Sequence, residues 1–558
     1  MKGRCCTPIE FWEKLTRTKT LEDDDILKTE LRRCISTPWL ILFGIGQMTG
    51  AGIYVLTGEV VRAKAGPAAP LAYLMAGAVS MISALVYAEF GARVPKSGSS
   101  FTFAYVTVGE FLAFVIGWNI LLEHCITTAV AARTWSATVN LLTGGWLSNA
   151  TENATGFFYL AGEKEYPDFL AMGIVILLAI VVVLGVRETV GITAFIAVCN
   201  TALAIVIIVA SALHADVENV RNTERGGYVP FGAQGLFGGT AMLIYAFYGY
   251  DAITIAAEET NEPSTTLPFA NISAMVFVTI LYVAMSLALS FLSPFYLVDP
   301  NAAFAVAFQR LDMEWASIVS NVAALVAITG TCLGNIYSVS RTAFAMSRDG
   351  LLFKFMANVN TSTQTPILAV VVLSFVAAVL ACIMDVSTLA EFVSIGTLVA
   401  ITTISACLIV LRYITDQPDS YLLDPRDDDS RELINPTLKM PFVPFLPVLS
   451  MLLNVVLLLQ LSSSAWIRFC VWMVFGLLLY FAYGIWFSNE RGNLRAREDR
   501  PKKYPSYGSR ASSLDFDQDR PKKYGGTSSY GSRASSTDFE QSGDQLKEAV
   551  TPTLPGGY

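Results

Sequence analysis

The chain has 558 residues, 53% of them hydrophobic and 15% charged, with a mean hydropathy of +0.51. Apolar runs of 18 or more residues recur along it, which predicts a polytopic membrane protein and excludes an ordinary soluble domain. The net charge of −8 comes largely from runs such as Glu22–Asp25 and Asp427–Asp429, which read as solvated loops and say little of a substrate.

Residues 1–36 form a polar, basic N-terminal segment in which no cleavable signal peptide is expected. Cys5-Cys6, beside Lys2 and Arg4, are either an acylation site or plain surface residues. The first apolar run, 37–61, is long enough to cross a bilayer, but Gly44, Gly46, Gly50 and Gly52 crowd its middle. Glycine costs about 1 kcal/mol relative to alanine in a helix interior, so a local break is expected there. Unwound backbone at membrane depth must face protein or a watery cavity, because lipid offers its amides no partners. The alternative reading is that Gly46-x-x-x-Gly50 is a helix-packing motif.

Eleven further spans follow, at 68–90, 111–139, 167–186, 191–213, 235–257, 268–292, 317–340, 366–384, 389–411, 442–461 and 466–487. The expected fold class is therefore an all-α polytopic membrane protein of about twelve transmembrane helices. Spans 1–5 (37–213) and 6–10 (234–413) read as two halves, followed by a polar loop at 414–440 and two peripheral helices in 441–487. The N-terminal segment carries eight basic residues from Lys2 to Arg33, and the short loops on its side carry Arg93, Lys96, Arg187, Arg348 and Lys354, whereas loops 143–166 and 293–316 carry only Lys164 and Arg310. The positive-inside tendency then puts both termini in the cytoplasm. The sequons Asn149-Ala150-Thr151 and Asn153-Ala154-Thr155 fall in a loop this topology places outside, so Asn149 and Asn153 are expected to be glycosylated. Residues 488–558 are expected to be a disordered cytoplasmic tail. There Arg500–Tyr504 recurs as Arg520–Tyr524, and Ser512 and Ser535 each follow an arginine by two residues. These serines are either phosphoacceptors or part of a spacer.

The sixth span repeats the feature of the first. Tyr245-Ala246-Phe247-Tyr248-Gly249-Tyr250-Asp251 places a glycine and an acid inside the membrane. Paired glycine-interrupted segments in corresponding halves are the best sequence pointer to a transporter site. Amides exposed at one break favour a carboxylate and exposed carbonyls favour an ammonium, so a zwitterionic amino acid suits both. Candidate substrate contacts are Met48, Gly50, Ala51 and Gly52 at the first break and Tyr245, Phe247, Tyr248 and Gly249 at the second. The aromatics would lid the substrate or hold a cation on a ring face.

Charged groups within spans are costly and face a cavity or one another. Glu123 and Asp251 are the acids able to face a cationic side chain; alternatively, Glu123 pairs with Arg133 or His124. His124 either titrates near neutral pH or simply packs. Glu89 and Arg93 read as a gate or scaffold pair, and Asn200, Asn321 and Asn335 as neutral polar groups. Asn335 and Ser338, near Gly334 in span eight, are placed in the side-chain pocket. The nine cysteines have neither metal-ligand spacing nor a disulfide pattern. No nucleophile–base pair, phosphate loop or metal cluster is visible, so no enzyme, cofactor, metal or nucleic-acid partner is expected.

Several stretches resemble the cationic amino acid transporter family of the amino acid–polyamine–organocation superfamily. They are Thr49–Gly58, Tyr87–Lys96, Tyr105–Glu110, Gly117–Asn119, Tyr245–Asp251, Met346–Leu352 and Ser394–Leu398. The resemblance runs from about residue 30 to 490. It implies a five-plus-five inverted-repeat fold with discontinuous helices 1 and 6 and two peripheral helices. It also implies substrate held by backbone at Met48–Gly52 and Tyr245–Gly249, and Glu110 resembles an acid important for transport. Animal members usually have fourteen spans, but here only the segment 414–440 lies between spans ten and eleven. Proton-coupled bacterial relatives carry a lysine in span five where this chain has Asn200, and a neutral amide cannot cycle a proton. The reading is a facilitated carrier of arginine, lysine and ornithine; a neutral or broad-range exchanger and an amino-acid-sensing receptor are the alternatives. Light-subunit exchangers use an external cysteine that the predicted outer loops lack, so no disulfide-linked heavy subunit is expected. The plasma membrane is the expected location, and a lysosomal or vacuolar membrane would present the same topology.

Overall fold

An apolar run in lipid must satisfy its own backbone, and the helix is the local way to do so. The computed structural model describes residues 8–19, 29–50, 52–155, 158–160, 163–165, 167–221, 227–300, 302–384, 386–415, 438–459 and 463–489. Cys5 and Cys6, the acidic run 22–25, Ala51, most of the 414–440 loop and the repeated tail lie outside them.

A short amphipathic helix, α1 (Pro8–Thr16), precedes the first span. That span is α2 (Thr37–Met48), a π turn at Gly52–Leu56 and α3 (Thr57–Ala63), and its two halves meet at a 48° bend. Then come α4 (Ala69–Arg93), the short α5 (Ser100–Thr107) and α6 (Glu110–Leu142). The next loop carries α7 (Trp146–Thr155) and a two-stranded ribbon of Phe158–Leu160 with Glu163–Glu165. α8 (Phe169–Leu184) and α9 (Val186–Leu213) follow.

Next come α10 (Gly232–Ile244), a 3-10 turn at Tyr245–Phe247, α11 (Tyr250–Ile255) and a 3-10 turn at Ala256–Glu259. It continues with α12 (Pro263–Leu292), α13 (Ala303–Arg310), α14 (Glu314–Arg348), α15 (Ile367–Ile383) and α16 (Val386–Thr415), and α17 (Phe445–Leu458) and α18 (Ser463–Leu479) follow. An apolar helix thus stands at each predicted span, although α8, α15 and α17 are short. The body is all-α and polytopic. α14 runs past its predicted end at 340 and carries Arg341 inward, where it is fully buried.

The main packings are α4 on α12, α6 on α14 and α16, α8 on α15, and α9 on α2 and α14. Large apolar side chains such as Ile180, Phe195, Ile280 and Phe375 are exposed, as surfaces that face lipid rather than water must be.

Candidate functional site

Both predicted interruptions are present. In the first span the helix ends at Met48, and Thr49 has left helical geometry with ψ +79°. In the second, Tyr248 is extended and Gly249 takes φ +141°, a value that glycine adopts without strain. The two breaks touch: a Cβ built on Gly52 would stand 2.6 Å from the Ala246 Cβ, and one on Gly249 would stand 3.1 Å from Met48 Cγ. Only hydrogen at these positions lets the chains approach so closely.

Side-chain hydroxyls satisfy the carbonyls that the breaks release. Tyr282 of α12 donates towards Met48 O at 2.7 Å and Ala246 O at 3.1 Å, one carbonyl from each break. Tyr73 of α4 donates to Gly52 O at 3.0 Å, and Thr331 of α14 donates to Gln47 O at 3.2 Å. This is how broken helices are tolerated at membrane depth. None of these residues stood out in the sequence, because a tyrosine or threonine in an apolar span carries no charge to betray it.

Beside the breaks lies a buried polar cluster. Glu123 and His124 come from α6, Asp251 from α11, and Asn335 from α14. His124 Nε2 faces Asp251 Oδ2 at 3.4 Å, and His124 Nδ1 lies 3.1 Å from Asn335 Oδ1. Gln47 donates to the same Asn335 oxygen at 3.1 Å, and the Tyr248 hydroxyl donates to Asp251 Oδ2 at 3.2 Å. Thr397 of α16 donates to Glu123 Oε1 at 2.6 Å, and Glu123 is within electrostatic reach of both His124 and Asp251. Glu123, His124 and Asp251 are at most 2% exposed. Glu123 Oε2 and Asp251 Oδ1 are buried acceptors with no hydrogen-bond partner among the described residues. Buried acceptors are nearly always satisfied, so two on neighbouring carboxylates mark a place suited to a positively charged donor.

On the side of the N-terminal segment, the chain before α2 and the end of α14 are tied to Glu258 and Glu259. Cys34 and Ile35 donate their amides to Glu259 O at 2.9 and 3.0 Å, and Asn261 N donates to Ile35 O at 3.1 Å. Arg348 holds Glu258 with two bonds of 3.0 and 2.8 Å, and Arg341 and Tyr337 hold Glu259. Glu258 also accepts from Ser97 N and from the Thr29 hydroxyl, each at 3.0 Å. On the other side, a cavity of only about 20 Å³ lies among Tyr54, Thr138, Phe304 and Asn321.

The remaining predicted residues are distributed as follows. Phe247 packs in a ring cluster with Tyr73 and Tyr282, and Tyr248 stacks edge-on to Tyr250. Tyr245 is partly buried beside the core. Ser338 is fully buried, and its hydroxyl has no hydrogen-bond partner among the described residues. Asn200 accepts from the Tyr54 hydroxyl at 2.8 Å. Glu110 accepts from Arg17, from Tyr105 at 2.7 Å, Tyr480 at 3.0 Å and Ser488 at 2.5 Å, so its contacts are with the N-terminal segment and the last span rather than the breaks. Glu89 pairs with Arg93 at 2.8 Å, as the sequence suggested, and also with Arg412 at 2.6 Å. Arg133 donates to Cys382 O at 3.2 Å, while Glu123 has His124 as its electrostatic neighbour. Asn149 is exposed on α7; the side chain of Asn153 lies outside the described residues.

The family described as amino acid permease matches residues 35–482. The cationic amino acid transporter 4 of Mus musculus is 33% identical over 581 residues, covering 86% of this chain and 91% of that protein. The methylthioribose transporter of Bacillus subtilis is 32% identical over 453 residues, covering 81% and 94%. The vacuolar cationic amino acid transporter 4 of Arabidopsis thaliana is 28% identical over 588 residues, covering 84% and 95%.

Proposed function

Because the chain belongs to the amino acid permease family, we propose that it carries cationic L-amino acids by alternating access, as a facilitated carrier. One observation carries the choice of charge: two buried carboxylates, Glu123 and Asp251, each have an oxygen with no hydrogen-bond partner among the described residues, and His124 faces Asp251. Buried negative charge in a membrane protein is costly unless compensated. The guanidinium of arginine or the ammonium of lysine or ornithine supplies the missing donors. The substrate carboxylate would lie at the amides near Gly50 and Gly52, and its α-ammonium at carbonyls of the second break.

Spans 1–5 and 6–10 would rock against each other about this point. Packing of corresponding spans supports the repeat: α4 on α12, α6 on α14, α8 on α15, and break on break. The closed Ile35–Thr260 side would be cytoplasmic, as the basic loops suggest. The exposed Asn149 on the opposite side supports a glycosylated outer loop, and the plasma membrane is the proposed location. Asn200, held by Tyr54, offers no proton carrier. The test is uptake of labelled arginine by proteoliposomes, competed by a panel of amino acids. Lysine and ornithine should compete strongly and alanine weakly; competition by alanine as strong as by lysine would overturn the cationic assignment.

A further inference from the structure

A second cavity lies apart from the breaks, where the chain enters and leaves the membrane on the side of the N-terminal segment. It has a volume of about 540 Å³ and is walled by Arg32, Ser36 and Trp39 before and in α2, by Arg187 and Glu188 at the start of α9, and by Gln364 before α15. Arg32 and Arg187 both line it and are exposed, and neither is in an ion pair among the described residues. The one acid of the cavity, Glu188, turns its carboxylate back over Gly185 at the helix start. Two arginines thus line one cavity together with Ser36, Ser362 and Thr363.

We propose that this cavity binds the phosphate of an anionic phospholipid headgroup between Arg32 and Arg187. Guanidinium is the side chain best matched to phosphate oxygens, and basic pockets between membrane helices bind such headgroups. The surroundings favour a lipid over a free anion. α2 begins at Thr37, α8 ends at Leu184 and α9 begins at Val186, so the cavity sits at the level of the helix ends. Trp39 is 50% exposed at its lip, where tryptophan sits at a membrane interface. Leu184, Ile192 and Phe195 continue an exposed apolar surface along α8 and α9 that acyl chains can follow.

The two walls belong to different parts of the gate. Arg32 lies in the segment whose Ile35 pairs with Thr260, whereas Arg187 belongs to α9. A phosphate bridging them ties that segment to α9 and favours the closed side, and Cys34 lines the same cavity.

Native mass spectrometry of the purified full chain, titrated with phosphatidylglycerol, phosphatidylcholine or inorganic phosphate, tests the site. Phosphatidylglycerol should bind in preference to phosphatidylcholine and should resist displacement by inorganic phosphate. Arg32→Gln and Arg187→Gln should each weaken it about fivefold, and the double variant about thirtyfold. Arg62→Gln, an exposed arginine outside the cavity, should change nothing. Undiminished binding by the double variant, equal loss in Arg62→Gln, or complete displacement by inorganic phosphate would each overturn the proposal.

Discussion

Gly52 and Asp251 show two kinds of residue-level constraint. At Gly52 the constraint is space, since any Cβ meets Ala246 at 2.6 Å. Gly52→Val is expected to abolish arginine uptake while surface labelling still finds the protein at the membrane; the same holds for Gly50→Val, whose Cβ would stand 3.0 Å from Thr331 Cβ. At Asp251 the constraint is charge. Asp251→Asn should raise the KM for arginine far more than that for alanine, and an equal change in both would leave Asp251 with a structural role. The glycines and acids were legible in the sequence because both are expensive where they stand. That Glu123, His124, Asp251, Gln47 and Asn335 converge was not legible, since it depends on how α2, α6, α11 and α14 pack. Gln47 did carry a signal, as an amide amid glycines.

Among the elements, the N-terminal segment does more than its polar composition suggests. Arg17 reaches the buried Glu110, and the backbone follows: Glu110 N donates to Arg17 O at 2.9 Å and Lys19 N to Tyr105 O at 3.1 Å. Lys19 also pairs with Asp349 at 2.6 Å. Removing one partner of a buried pair costs about 3–5 kcal/mol. Arg17→Ala and Glu110→Gln should each lower the melting temperature markedly, and the double variant should lose far less than the sum; additive losses would mean the two act separately. The adjoining gate has its own reporter in Cys34, whose thiol is pushed up by burial and by nearby Glu259. It should therefore react slowly with maleimide at neutral pH. Glu258→Ala, which frees Arg348, Ser97 and Thr29, should speed that reaction severalfold, as mapped by peptide mass spectrometry.

At the scale of the molecule, span existence was legible because hydropathy reports it directly. Extents were not: α14 continues to Arg348 because Glu258 and Glu259 meet its arginines, a long-range pairing that no local pattern encodes. If the carrier moves a cation without a proton, membrane potential alone drives accumulation. One charge gains about 2.3 kcal/mol per 100 mV, or about 50-fold at equilibrium. Arginine uptake by vesicles should track an imposed potassium diffusion potential and ignore a proton gradient clamped at zero voltage; the reverse result would refute a facilitated carrier.

The Tyr282 phenol points at Met48 O and Ala246 O alike, yet a phenol has a single hydrogen to give. Strengthening its hold on one carbonyl weakens its hold on the other. Any movement that separates the interrupted crossings must therefore choose which keeps the hydrogen. Tyr282 thus couples the two crossings through one shared proton.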